Sequence, residues 1–352
     1  MTDLNCHSEM TKFHNQKVTL SNEQQDEMRR RRDAGRTRLK SGLNANKHPQ
    51  PKELHSQGSY QMRTMTQDVE NDYDIDDGAY FYYDDLTDDN ANPLTPLATR
   101  KRIYAAIERD GRLKEKPKIK RNCVRQEYPE GYHIDIPAYR IVTTENHDGD
   151  EIEYYELASG DEWVESDARA VTRWYNNLVT ELNAGQPDGS QMRRVTKLTK
   201  KFARRSYWKK QTTSGICITK LVVDHFIASK DAGGADHDDK ALRETWKGIK
   251  KALDVSTEID HPVLDNAKLA ETDDPEVTFF RGCLTEALVT LEILDDPNCT
   301  RQQAREAWDR VFDTSFFTDL PNNDTSKKSE GLAFVVKSKE TARRNDGGGR
   351  FG

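Results

Sequence analysis

The sequence predicts a mixed α/β lobe followed by an α-helical lobe. Residues 73–81 alternate between polar and apolar side chains, as strands do. Further strand patterns separated by turn residues continue to residue 165, and from residue 166 the apolar spacing is that of helices. A chain of 352 residues is long enough for two packed lobes.

These changes of pattern divide the chain into four parts. Residues 1–20 are polar and predict an irregular N-terminal segment, and residues 21–165 form the α/β lobe. Residues 166–320 form the helical lobe. Residues 321–352 are polar, have few aromatic side chains and end in a Gly-rich stretch, a composition typical of a flexible tail.

Local signals place the individual elements. Ser21 is expected to cap a helix that extends to about residue 42, because Gln24 completes a capping box. A loop is expected at 46–56 and an amphipathic helix at 97–109. Strands are further predicted at 119–125, 133–142 and 152–157, and helices at 168–183, 191–210, 215–228, 242–253, 276–294 and 301–312.

Composition argues against several classes of protein. No apolar run approaches the roughly 20 residues of a membrane-spanning helix, and the N terminus lacks a secretory apolar segment, so a cytoplasmic protein is expected. Five widely spaced cysteines predict reduced, structural thiols. Nucleotide phosphate loops, dinucleotide fingerprints and zinc-binding His pairs are missing from the sequence. The net charge is −7, but basic residues cluster in 29–40 and 193–210.

Two carboxylates project from one face of the strand at 73–81. Asp74 and Asp76 are two residues apart, and side chains two apart share a face. Gly58-Ser59 begins 16 residues before Asp74. Glycine permits close approach of the backbone to a phosphate and serine supplies a short donor. The pattern is that of a phosphate-binding turn leading into a metal-binding strand.

A third acid, Asp135, stands between two isoleucines in a predicted strand, where a buried carboxylate needs a partner. Three carboxylates suit two magnesium ions, with manganese as the alternative metal. Such ions activate an attacking sugar hydroxyl and stabilise departing pyrophosphate. The alternative is that Asp135 caps a turn or pairs with Arg140, and that Asp74 and Asp76 keep a strand edge soluble.

Together these residues resemble the bacterial cGAS/DncV-like nucleotidyltransferases of CBASS antiphage defence. The motif consists of Gly58-Ser59, Asp74-Ile75-Asp76-Asp77-Gly78 and His133-Ile134-Asp135-Ile136-Pro137. Residues 160–176 resemble the family's link between its two lobes, and the resemblance covers roughly residues 13–230.

The resemblance implies a polymerase-β-like catalytic lobe and a helical lobe that closes a central active-site cleft. It implies condensation of nucleoside triphosphates, ATP or GTP expected, into a cyclic di- or trinucleotide with release of pyrophosphate. A separate effector protein reads the product in such systems. Neither a membrane nor a nucleic acid is expected as a partner.

The resemblance also assigns roles to residues. Gly58 and Ser59 hold the donor phosphate, Asp74 and Asp76 hold both metal ions, and Asp135 completes the metal site beside the attacking hydroxyl. Arg125 and Lys200 are assigned to the triphosphate, and Ser166 and Asp167 to the neighbourhood of the acceptor base. The full set of implied nucleotide-binding residues is Gln57, Gly58, Ser59, Arg125, Ser166, Asp167, Lys200 and Ser214.

Alternatives stay open for several of these assignments. Lys200 also fits a solvated helix face, because its helix carries many basic residues. Ser166 and Asp167 are also ordinary helix N-caps. Where related enzymes place an aromatic side chain two residues after Tyr60, this chain has Met62, and a thioether packs on a base without selecting it.

The Gly-rich tail suggests, through the resemblance, conjugation of Gly352 to targets by ubiquitin-like E1/E2 machinery; the alternative is a frayed end. Two other functions compete with the cyclic synthase. One is a template-free polymerase that makes linear oligonucleotides or tails RNA, which the basic stretch 193–210 favours. The other is a catalytically inactive module that binds a nucleotide or a nucleic acid.

Overall fold

A computed structural model of the chain describes residues 4–68, 74–145, 147–182, 190–205, 207–208 and 211–321. Residues 1–319 form one compact unit, to which all the elements below belong. Gly352 and the rest of the predicted tail beyond Pro321 lie outside the described residues. Among the helices that are described, none is long and apolar enough to cross a membrane.

An eight-stranded sheet forms the centre of the α/β part. Its strands are β1 (Glu53–Gln57), β2 (Asp74–Tyr82), β3 (Lys118–Ile119), β4 (Val124–Glu127), β5 (His133–Ile136), β6 (Ala138–Glu145), β7 (Glu151–Ser159) and β8 (Glu162–Glu165). The strand order is β3-β4-β5-β2-β6-β7-β8, and β1 also pairs with β2. β2 runs parallel to β5 and β6 and antiparallel to β1.

The strand predictions are confirmed in part. The strand expected at 133–142 is divided by Pro137 into β5 and β6, because proline has no N–H for the ladder. The strand expected at 119–125 is the β3–β4 hairpin with its turn. Neither β1 nor β8 was predicted. The loop expected at 46–56 is wrong from Glu53 onward, where β1 pairs with β2.

Ten α-helices lie in the described part of the chain. They are α1 (His7–Phe13), α2 (Asn22–Ala45), α3 (Gly58–Gln61), α4 (Pro96–Glu108), α5 (Ala168–Leu182), α6 (Ser190–Ala203), α7 (Gly215–His225), α8 (Asp238–Leu253), α9 (Pro275–Leu291) and α10 (Arg301–Phe312). The predicted capping box is present, since Ser21 Oγ accepts from Gln24 N at 3.2 Å and Gln24 Oε1 accepts from Ser21 N at 2.9 Å. All six helices predicted after residue 166 are confirmed, but α6 ends at Ala203 rather than at residue 210. A short antiparallel pair, β9 (Ile259–Asp260) and β10 (Lys268–Ala270), lies among them.

The irregular N-terminal segment predicted for residues 1–20 is wrong for residues 7–18. These residues form α1 and one π-helical turn, His14–Val18. Met10, Phe13 and Val18 are buried in the same hydrophobic core as the helices from α6 to α10. The Phe13 ring centroid lies 4.7 Å from that of Phe312. Met10, Phe13 and Val18 are therefore core residues of the helical part.

Replacing Phe13 with alanine is expected to lower the free energy of unfolding by about 3–5 kcal/mol, because a buried aromatic side chain is removed and a cavity remains. Urea denaturation measures this loss. Lys12→Ala on the exposed side of the same helix is the control, and we expect it to change stability by less than about 0.5 kcal/mol. Equal effects for both variants would contradict the packing described here.

One face of the sheet is covered by α2 and α4. Ile75, Ala79 and Phe81 of β2 lie in one hydrophobic core with side chains of both helices. The two helices approach closely, since a Cβ on Gly42 would lie 1.9 Å from the Ala106 carbonyl oxygen. Successive side chains in a strand alternate between faces, so the even-numbered residues of β2 project from the opposite face. That face carries the acids.

Candidate active site

Strand register places one row of polar residues across four strands. Asp76 lies opposite Gln57 on β1 and opposite Asp135 on β5, and Asp135 lies opposite Arg125 on β4. Residues directly opposite one another in a sheet project from the same face. The order across the sheet is therefore Gln57, Asp76, Asp135, Arg125, and the acids predicted from distant parts of the sequence lie side by side.

Asp74 lies two residues before Asp76 and opposite His133. His133 Nε2 is 3.7 Å from Asp74 Oδ2 and 4.0 Å from Asp135 Oδ2. One side-chain ligand atom from each of Asp74, His133 and Asp135 lies within 4.8 Å of the others. The sequence motif contained His133 but gave it no role. The signal was its position two residues before Asp135 on the same strand face.

The carboxylates repel one another. Burial, together with the charges of Asp74 and Asp135, raises the pKa of Asp76 well above its ordinary value. Burial by itself would also raise the pKa of Asp74. The hydrogen bond and charge of His133, together with the charges of two arginines, lower this pKa below its ordinary value instead. A divalent cation would relieve this repulsion, and carboxylate oxygens are the ligands that magnesium prefers. The residues therefore fit a divalent metal.

Asp135 forms a two-pronged ion pair with Arg125, whose Nε and Nη2 donate to the two carboxylate oxygens at 2.8 and 2.7 Å. The alternative pairing with Arg140 is wrong, because Arg140 pairs with Glu156. Such paired hydrogen bonds fix the plane of a carboxylate. Arg125, assigned by resemblance to the triphosphate, orients Asp135 in this structure.

The Gly58-Ser59 turn contacts the acids directly. Gly58 has φ +64°, and a Cβ at this position would lie 2.5 Å from Asp76 Oδ2. The turn is anchored by Gln57, whose Nε2 donates to the Tyr139 hydroxyl at 2.8 Å and whose Oε1 accepts from the Tyr80 hydroxyl at 3.0 Å. The Gln57 side chain thus holds the turn through two tyrosines, and the glycine lets the turn touch Asp76.

Two cavities meet at Asp76. The smaller, of about 230 Å³, is lined by Ser59, Asp74 and Lys200 among others. The larger, of about 710 Å³, is lined by Asp135 and by Arg125, Ser166 and neighbouring residues. The residues that line both are Gly58, Met62, Asp76 and Ile216. The acids therefore face two adjoining spaces, with Met62 on the wall of each.

Lys200 faces the smaller cavity. Its side chain is buried, and Nζ donates to Thr64 Oγ1 at 3.0 Å. Burial, followed by the charge of Arg204, lowers the pKa of Lys200 to about 7. The alternative of a solvated helix face is therefore wrong. A buried lysine that lines the same cavity as the Gly58-Ser59 turn is suited to an anionic group.

The other predicted nucleotide-binding residues divide into two groups. Ser166 lines the larger cavity. Asp167 Oδ1 accepts from Ala170 N at 2.8 Å at the start of α5, and Ser214 Oγ accepts from Cys217 N at 3.3 Å at the start of α7. Asp167 and Ser214 thus act as helix caps, and neither lines the two cavities.

Three basic residues of the site were missed by sequence reasoning. Lys120 and Arg121, in the β3–β4 turn, line the larger cavity, and Arg204 lines the smaller one. For Lys120 and Arg121 the signal was the dense run of basic residues in 114–121, and Arg204 lies within the basic stretch 193–210. A run of basic residues is also typical of an ordinary exposed hairpin, so the sequence alone does not assign 114–121 to the site.

The basic residues of α6 do not form one open track. Arg194 pairs with Asp236 and Asp238 at 2.7 and 2.5 Å, and Lys201 Nζ donates to the Gln67 carbonyl at 3.2 Å. With Lys200 in the smaller cavity, much of this charge is engaged within the protein. Arg194, Lys200 and Lys201 are therefore not available to form a continuous basic surface for RNA.

The mixed sheet with its acidic row, beside a Gly-Ser turn and helical elements, defines a nucleotidyltransferase of the polymerase-β-like fold with a helical lobe. Residues 52–139 match the family model for the nucleotidyltransferase domain of DncV-like cyclic GMP-AMP synthases. The DncV-like family predicted from the sequence motif is thus confirmed for this segment.

Solved structures extend the likeness in fold beyond that domain. CdnC of Escherichia coli MS115-1, solved with ATP, has a TM-score of 0.64 at 15% identity, over 89% of this chain and 99% of that chain. Vibrio cholerae DncV with nonhydrolyzable GTP has a TM-score of 0.66 at 17% identity, over 88% and 95%. The same enzyme with the linear intermediate 5′ pppA(3′,5′)pG has a TM-score of 0.65 at 18% identity, over 88% and 96%. At these identities the likeness establishes the fold.

Proposed function

We propose that this chain condenses nucleoside triphosphates, ATP or GTP among them, into a cyclic di- or trinucleotide in a divalent-metal-dependent reaction that releases pyrophosphate. The observation that carries the proposal is the meeting of two cavities at Asp76. The smaller cavity is lined by the Gly58-Ser59 turn and Lys200, which suit the triphosphate of a donor nucleotide. The larger cavity is lined by Asp135 and has a volume in the range of small-ligand sites, which suits an acceptor nucleotide.

The residues divide the work between donor and acceptor. Ser59 and the backbone of α3 bind the donor phosphates, and Lys200 neutralises part of their charge. Asp74, Asp76 and Asp135 hold the divalent ions, which supply activation of the sugar hydroxyl and stabilisation of the leaving pyrophosphate.

On the acceptor side, Arg125 holds Asp135 beside the attacking sugar hydroxyl, which gives its proton to the Asp135 carboxylate. The hydroxyl oxygen forms a bond to the α-phosphorus as the bond to pyrophosphate breaks. A second condensation of the same kind closes the ring. The structure of DncV with a linear intermediate supports this order in a protein of the same fold.

The wider assignment follows the same family. In this proposal the product is a cytoplasmic second messenger of antiphage defence that a separate effector protein reads. The metal is magnesium, with manganese as a substitute. Conjugation through Gly352 stays a prediction.

Product analysis tests the proposal. Wild-type protein and Asp74→Asn/Asp76→Asn are incubated with four labelled nucleoside triphosphates and magnesium, treated with phosphatase and analysed by mass spectrometry. We expect a phosphatase-resistant cyclic species from the wild type alone. Linear products would instead support the polymerase, and the absence of any product would leave a dormant enzyme or a binding module.

Binding of the donor triphosphate is expected to take up a proton through Lys200. The free lysine is largely neutral above pH 7, because burial lowers its pKa to about 7, whereas a bound triphosphate favours the charged form. Affinity should therefore be full below pH 7 and fall by up to about tenfold per pH unit from pH 7.5 to 9.

Calorimetry with a nonhydrolysable triphosphate, in buffers of different ionisation enthalpy, measures the proton uptake. Lys200→Met should abolish it. Lys201→Met, whose Nζ bonds the Gln67 carbonyl, is the matched control and should retain it. Proton uptake that persists in Lys200→Met would assign the effect to another group.

A further inference from the structure

A third cavity, of about 780 Å³, lies among residues 19–29, α3, α5 and α6. We call it the basic cavity. Its charged lining residues are Arg29, Arg63, Arg193 and Lys197, and no Asp or Glu occurs among the described residues that line it. Of the residues that line it, Met65 also lines the smaller catalytic cavity, and none lines the larger one. Four positive charges thus converge on a space separate from the acids.

Two of these cations lie on neighbouring turns of α6. Lys197 Nζ lies 3.4 Å from Thr19 Oγ1, and Arg193 donates to the Met62 carbonyl at 3.3 Å and to Asn176 Oδ1 at 3.0 Å. Burial, followed by the charge of Arg193, lowers the pKa of Lys197 to about 8. An anion in the cavity would offset the repulsion between the two cations.

The other two cations lie on residues with exposed side chains. Arg63 is exposed and has φ +58°, a conformation that costs free energy for a residue with a Cβ. Arg29 is also exposed and pairs with Asp26 at 3.0 Å. Long exposed arginines rearrange at little cost and are well suited to bind phosphate oxygens in pairs. The cavity therefore has two inner cations and two adaptable outer ones.

Part of the cavity wall is apolar or aromatic. Leu20, Met28, Met65 and Tyr60 contribute this surface. Small-molecule sites typically combine such a wall with a few placed polar groups in volumes of roughly 300–1,000 Å³. Methionine side chains adapt to flat rings, and tyrosine stacks on them. The basic cavity thus offers surfaces for a planar ring as well as for several negative charges.

We propose that the basic cavity binds a mononucleotide-sized ligand that carries a planar ring and at least two phosphates. Its walls are built from the same elements as the catalytic cavities. α3 contributes Ser59 to the smaller catalytic cavity and Tyr60 to the basic cavity, and α6 contributes Lys200 to the one and Lys197 to the other. A ligand in the basic cavity therefore contacts α3 and α6, the two helices that hold the donor triphosphate in the proposed reaction.

Binding to the full chain without divalent metal tests the site and requires no turnover. The probes are adenosine 5′-diphosphate, inorganic tripolyphosphate and citrate, each titrated calorimetrically in EDTA. We expect the nucleotide to bind most tightly, tripolyphosphate less tightly and citrate weakest. Removing charge with Arg63→Gln/Lys197→Gln should weaken nucleotide binding at least about tenfold, since both cations contact the phosphates.

The variants separate this site from the catalytic one. Lys201→Gln, also on α6, is the charge-matched control, and Lys200→Met removes the catalytic-side lysine; both should leave the affinity unchanged. Arg63→Gln alone changes an exposed side chain, so a loss of binding in that variant is independent of folding. The proposal is overturned by absence of binding at millimolar probe, by tightest binding of citrate, or by a loss that follows Lys200→Met instead.

Discussion

Replacing Asp76 with asparagine is expected to lower the rate of nucleotide condensation roughly 1,000-fold, equivalent to about 4 kcal/mol of transition-state stabilisation. Asp76 lies between Gln57 and Asp135 in the sheet and lines both catalytic cavities. Its carboxylate is therefore the group able to serve donor and acceptor together. Pyrophosphate release under saturating triphosphate and magnesium measures the effect.

Asp77→Asn is the control on the same strand. Asp77 faces the other side, where Arg36 Nε and Nη2 donate to its carboxylate at 2.7 and 2.5 Å and Ser56 Oγ donates at 2.9 Å. We expect a loss of stability of about 3 kcal/mol, since breaking a buried ion pair leaves a charge without its partner. Activity per folded molecule should stay within about threefold of wild type. Loss of activity in folded Asp77→Asn, with an active Asp76→Asn, would refute the assignment of faces.

Gly58→Ala is expected to lower the rate about 100-fold without unfolding the protein, because misplacement of a catalytic group by about 1 Å has an effect of this size. Two causes act together. The residue has φ +64°, and its new Cβ would lie 2.5 Å from Asp76 Oδ2. The carboxylate or the turn must move, and donor phosphate and metal ligands then lose their alignment. Steady-state rates and circular dichroism measure the two properties.

Gly149→Ala isolates the backbone contribution. Gly149 also has a positive φ, +82°, but a Cβ there would meet no atom within 4 Å. This variant should lose about 1 kcal/mol of stability and retain full activity. If Gly58→Ala also keeps its activity, contact between the turn and Asp76 does not position the carboxylate.

The acids could be predicted because their signal is local. Alternation in residues 74–82 and the isolated Asp135 between isoleucines each report a strand face. Register between the strands is not local. The contact of Asp135 with Arg125 depends on a hairpin, and the sequence offered Arg140 equally well.

Roles that depend on tertiary packing were harder to predict. Lys200 is one of several basic residues on α6, and only the fold distinguishes the buried one from its neighbours. The sequence cannot distinguish a helix-capping role from a ligand-binding role for Asp167 and Ser214. In the structure the side chains of both accept hydrogen bonds at helix N-termini. The buried position of Phe13 was not predicted, because a seven-residue helix gives a weak periodic signal and its partner Phe312 lies almost 300 residues away in sequence.

Met62 lies on the wall of both catalytic cavities, and its side chain has no strong hydrogen-bonding group with which to read a base. In the proposed reaction, polar residues that line the larger cavity, such as Lys120, Asn122 and Ser166, are then the candidates for recognition of the base edge. Lys120 and Asn122 lie in a turn, where substitutions generally cost little stability. In the proposed enzyme, chemistry and product choice thus reside on separate elements, so substitutions in the turn would change the product while the acidic strands stay unchanged.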